Sequence, residues 1–78
     1  MTWARKFAKP IALKDGHPIV TLADARAFIH SRPEMIRKHL MWQYAAELLL
    51  DAATGGDEQS IHEAHAQLTR ALKAERLI

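Results

Sequence analysis

The segment His62-Glu63-Ala64-His65 holds the densest set of metal-binding and proton-transfer groups in the chain. Two histidines three apart share one helix face and supply half of a tetrahedral metal site. The zinc-protease arrangement needs histidines four apart with a glutamate between them, and no third ligand stands at an obvious spacing here. The chain has no cysteine, which removes thiolate ligands, thiolate nucleophiles and disulfides together. His17, His30 and His39 are scattered. No serine, histidine and carboxylate order and no glycine elbow gives any of them a partner for acid–base or nucleophilic work. His30 falls at the end of an expected helix, where an imidazolium complements unpaired carbonyls. The residue pattern therefore assigns no catalytic group, no metal ligand and no cofactor.

A second chemistry is anion binding. Arg5, Lys6, Lys9, Arg32, Arg37 and Lys38 are the candidate residues, and Trp3 and Phe7 interleave with the first three as in an arm that neutralises phosphates and stacks bases. The net charge of +2 conceals an imbalance: residues 1 to 39 carry eight Lys/Arg and three Asp/Glu, residues 40 to 78 three and six. Five excess positive charges spread over half a chain fall short of the clustering of a dedicated nucleic-acid binder, so nucleic acid is the secondary expectation. The abrupt turn between the first two expected helices suits a helix-turn-helix. A second helix of about 20 residues with an apolar mid-section makes a poor groove reader.

The elements that would position these groups follow from local signals. Residues 10 to 20 read as a hairpin after a basic arm at residues 1 to 9, with Asp15-Gly16 as a two-residue turn needing positive φ. That register sets Ile11 opposite Val20 and Leu13 opposite Pro18, with Pro10 and Pro18 at strand ends because neither donates a ladder hydrogen bond. Thr21-Leu22-Ala23-Asp24 reads as a helix cap, and Leu22, Ala25, Phe28 and Ile29 give that helix an apolar stripe to about His30. Ser31-Arg32-Pro33-Glu34 has the form of a capping box, opening a central helix expected to run unbroken from Pro33 to Ala53 and to stop at Gly55-Gly56. A last helix, from about Ser60 to Glu75 or three residues earlier if Asp57 is its cap, returns antiparallel with Ile61, Ala64, Leu68, Ala71 and Leu72 inward. The fold class is α+β, ββααα, in one small domain over residues 1 to 78.

On the central helix, at about 100° per residue, Trp42, Ala46, Leu49 and Ala53 fall along one side and Leu40, Tyr44 and Leu48 along another. The other elements are expected to cover the second side and only part of the first. Trp42, Ala46, Leu49, Leu50 and Ala53 are thus the candidate protein interface, and the expected partner is a second copy of the chain. Other protein partners are compatible with the same surface.

With 49% hydrophobic and 26% charged residues in 78, one core is expected, burying about 60 to 65% of the unfolded surface. The first ten residues are not followed by the apolar run of about 7 to 15 residues of a signal peptide, and no run of about 18 spans a bilayer. A cytoplasmic location without membrane association is the default expectation.

The early aromatic with Pro10-Ile11-Ala12-Leu13, the Thr21-Leu22-Ala23-Asp24-Ala25 helix start and the Trp42-Gln43-Tyr44-Ala45-Ala46-Glu47-Leu48-Leu49 segment make a recurring order. Gly55 or Gly56 and an Ala-rich last helix ending in Leu77-Ile78 complete it. Over residues 3 to 78 the chain resembles a family of very short alphaproteobacterial proteins catalogued as a domain of unknown function, with Arg32-Pro33 where that family has Trp-Pro. The resemblance implies a hairpin and three helices and no site residues. The function expected is a non-enzymatic, self-associating interaction module. A nucleic-acid accessory protein is the alternative, and a ligand in a polar pocket would favour an enzyme or ligand-binding domain.

Overall fold

The computed structural model describes residues 2 to 78. Its order is β1 Lys6–Ala12, β2 Pro18–Thr21, α1 Leu22–His30, α2 Glu34–Arg37, α3 Leu40–Ala53 and α4 Glu58–Ala74. The class is α+β, a two-stranded antiparallel hairpin followed by helices. Among the described residues no helix is long and apolar enough to cross a membrane.

The hairpin begins earlier and pairs differently than expected. Lys6 to Lys9 belong to β1, so they form no separate arm. Ile11 pairs with Ile19 and Ala12 with Pro18, while Lys6 pairs with Thr21. Val20 alone therefore spans the four β1 residues between those pairs, an irregular stretch that contains Pro10. A residue without an N–H is tolerated where the ladder is already broken. At the other end the connection is five residues, not two. The Gly16 N–H donates to the Leu13 carbonyl at 3.0 Å, and the His17 N–H donates to Asp15 Oδ1 at 2.9 Å. Gly16 has φ 92° as anticipated, yet Asp15 stays at negative φ, so the turn is not type I′. The Lys14 N–H donates to the Leu77 carbonyl at 2.9 Å, holding the longer loop against the C-terminus.

Thr21 caps α1 in full: its hydroxyl accepts from the Asp24 N–H, and the Asp24 carboxylate accepts from the N–H groups of Thr21 and Val20, each at 3.1 Å. Ser31 ends this helix and does not open the next. Its N–H and hydroxyl both donate to the Phe28 carbonyl. The expected central helix is split, because His39 takes extended angles (φ −65°, ψ 138°) between α2 and α3. The reason lies in Ile36. On an unbroken helix it would sit about 120° away from Trp42, on the solvent side. The bend lets Ile36 pack against the core while Trp42 stays inside it.

Thr54 and Gly55 (φ 103°) close α3. Asp57 then caps α4, accepting from the Ser60 N–H at 3.0 Å, so the earlier of the two expected starts is the one adopted. α3 and α4 pack antiparallel: Gly56 lies beside Ala52 and Ser60 at one end, and Gln67 Nε2 donates to the Met41 carbonyl at 3.4 Å toward the other. Ala45, Ala52, Ala53, Ala64 and Ala71 are fully buried and permit this close approach. The N-terminal segment straps the ends together. The Thr2 N–H and hydroxyl donate to the Ala53 carbonyl, and the Trp3 carbonyl accepts from Ala23 N–H. One core cluster joins Phe7, Ile11, Leu13 and Ile19 of the hairpin and its loop to the buried faces of α1, α3 and α4.

Candidate functional site

Three of the five expected interface residues are internal. Trp42 is 2% exposed, with its ring centroid 6.1 Å from that of Phe28, and Leu49 and Ala53 are equally buried. Only Ala46 and Leu50 reach the surface. The side expected to be covered is the open one: Leu40 is 78% exposed and Tyr44 53%, with Leu48 half-buried. α1 sets the Phe28 ring beside Trp42, and α3 turns its buried side toward α1 and α4, so the opposite face of α3 is left to solvent. Met35 on α2, 86% exposed, lies just ahead of Leu40 in the chain. A shallow depression on the open face of α3 is lined by Leu40, Met41, Gln43, Tyr44, Glu47 and Gln67. Separately, Leu50 and Ala46 border a small groove of about 240 Å³ where the Arg26 guanidinium lies 4.9 Å from the centroid of a Trp3 ring.

The six candidate anion-binding residues do not form one patch. Arg5 donates to the Gly56 carbonyl beyond the C-terminal end of α3, whereas Arg37 and Lys38 precede its N-terminus. Fourteen residues of helix, about 21 Å, separate the two groups. Arg37 and Lys38 are exposed, and Lys38 Nζ lies 3.5 Å from Glu34 Oε1, one turn away. Arg32 stacks its guanidinium 4.5 Å from the Phe28 ring centroid, and its Nε is buried without a hydrogen-bond partner. Arg32 is half-buried over that ring and stands apart from the other five cations.

Arg5, Lys6 and Lys9 do converge, and on residues that charge patterning alone did not join to them. Together with Glu58, Gln59, His62 and His65 they line a groove of about 560 Å³ between β1 and the start of α4. His65 Nε2 is 3.0 Å from the Lys9 carbonyl and must donate to it, and the Phe7 ring meets the imidazole edge-on at 5.4 Å. The histidine pair, weighed above as half of a metal site and not assigned to one, is thus partly engaged with the strand. Among the described residues no group of three or more histidines and carboxylates is close enough to hold a metal ion. The signal that joins the strand to the histidines is tertiary; 56 residues separate Lys9 from His65.

The carboxyls held below their ordinary range all serve backbone turns. The Val20 and Thr21 N–H groups stabilise ionised Asp24, the Ser60 N–H does so for Asp57, and the His17 N–H, joined by the imidazole, does so for Asp15. None is raised into the range of a general acid. Compared with protein-family models, curated proteins and solved structures, the chain matches none of them. Geometry and charge are what remain to define its function.

Proposed function

We propose that the protein is a small, non-enzymatic interaction module that pairs with a second copy of itself through the open face of α3. The observation that carries this reading is the exposure of Leu40 and Tyr44 on one face of α3, with Met35 exposed on α2 ahead of them. Arg37 and Lys38 stand at one end of the face, Glu47 and Asp51 at the other, and all four are exposed. An antiparallel two-fold pairing centred on Tyr44 brings Leu40 of each copy against Leu48 of the other and turns Arg37 toward Asp51. Apolar burial then supplies affinity while the charges fix direction. Nucleic-acid binding across all six cations fits less well, since they occupy opposite ends of α3. The family likeness brings no activity with it.

The absence of cysteine makes a direct test simple. Tyr44→Cys, oxidised in dilute solution, is expected to form a disulfide-linked dimer, because the two-fold axis places both thiols together. Leu50→Cys, on the other flank of the helix, is expected to stay uncrosslinked. Equal crosslinking of both variants, or none in Tyr44→Cys, would count against pairing through this face.

A further inference from the structure

We infer that the groove between β1 and the first turns of α4 binds a small phosphorylated ligand. Three cationic side chains converge there with His62 and His65 against one carboxylate, Glu58, so the groove presents an excess of positive charge from Arg5, Lys6 and Lys9. Two of these groups are already fixed. Arg5 is pinned by the Gly56 carbonyl, and His65 by the Lys9 carbonyl and the Phe7 ring, which lowers the ordering cost of binding. The broken ladder between Lys6 and Ile11 is what carries this part of β1 away from regular pairing and alongside α4. Lys6 and Lys9 are exposed on that stretch, tethered but free to close on an anion.

Size and surroundings narrow the ligand class. About 560 Å³ lies within the usual range of small-molecule sites, about 300 to 1,000 Å³. Ala8 and Ile61 contribute an apolar wall that suits the organic part of a phosphate ester, beyond what a bare ion requires. Several cations favour at least two negative charges, and an arginine fork beside lysines matches a phosphate's multiple oxygens. A nucleic-acid strand would need cations continuing past the groove, and Arg37 and Lys38 are an α3 length away.

The test is a titration of the isotope-labelled chain with inorganic pyrophosphate and with adenosine diphosphate, followed by amide nitrogen–proton correlation spectra. Saturating shifts are expected at residues 5 to 9 and 58 to 65 with both, and at least as tight a binding for the nucleotide. Lys6→Gln with Lys9→Gln, both on exposed side chains, is expected to weaken binding by at least about tenfold, the scale of one lost charge-assisted contact. Lys38→Gln is expected to leave it unchanged. The proposal is overturned if neither ligand gives saturating shifts, or if Lys38→Gln weakens binding as much as the groove variant. It is also overturned if a single-stranded oligonucleotide binds more tightly than the nucleotide.

Discussion

Gly16 and Arg76 share the left-handed backbone, and only one of them is suited to it. At Gly16 (φ 92°) an added Cβ meets nothing within 4 Å, so any penalty of substitution is conformational. Gly16→Val is expected to cost about 1 to 2 kcal/mol, visible as a lower denaturation midpoint at unchanged slope. Arg76 (φ 58°) instead follows the C-cap of α4, where the Arg76 N–H donates to the Lys73 carbonyl and the Leu77 N–H to the Leu72 carbonyl. Relief of its strain, less the entropy glycine loses, makes Arg76→Gly stabilising by about 0.5 to 1 kcal/mol in the same experiment. The acid limb belongs to this scale too. The folded pKa of Asp24 lies below 3.8, so its stabilising contribution is present above that value and is lost as pH falls through the folded one. Asp24→Asn is expected to flatten the fall in melting temperature from about pH 5 to about pH 2. A fall as steep as the parent's would remove Asp24 from the account. Caps such as Thr21 and Asp24 were legible because their partners are three residues apart. The Arg76 cap was not, since nothing in arginine's chemistry announces it.

Element by element, legibility tracked how local the deciding contact is. α1, the stop of α3 and the antiparallel return of α4 follow from caps, glycines and stripes within one or two turns. The hairpin register was misjudged because Asp15-Gly16 fits a two-residue turn locally, while the Lys14 contact with Leu77 and the break around Pro10 act from elsewhere. Continuity of the central helix was misjudged because Ile36 is reconciled with Trp42 only in three dimensions. The junction between α3 and α4 offers a sharp check. A Cβ on Gly56 would lie 2.7 Å from Ser60 Cβ, 2.9 Å from Ala52 Cα and 2.9 Å from the Asp51 carbonyl oxygen. Two of those neighbours are backbone and cannot swing aside. Gly56→Ala is expected to destabilise by about 1 to 3 kcal/mol in urea unfolding, and an unchanged midpoint would mean that the helices do not meet there.

For the molecule as a whole, the deciding question was which side of α3 faces inward. Helical spacing offered two apolar sides, and the side expected to be covered is the open one, because the ranking depends on what α1 and α4 bring to each. Trp42 lies buried beside Phe28, in the core that α3 shares with α1 and α4, leaving Leu40 and Tyr44 outside. A domain of this length is stable by about 4 to 12 kcal/mol, so a glutamate forced into the place of buried Trp42 is expected to unfold it. Tyr44→Glu, on the open face, is expected to keep the fold, as circular dichroism would report, and to lose self-association. The same enclosure takes Trp42, Leu49 and Ala53 out of the candidate interface and leaves only Ala46 and Leu50 of that set at the surface. The groove between β1 and α4 was legible only as separate cations and histidines, since it exists through tertiary packing alone. Sedimentation equilibrium of the unmodified chain across micromolar concentrations tests the central claim most directly. A species of twice 8.8 kDa that dissociates on dilution is the result predicted, and a single 8.8 kDa species at every concentration would contradict it.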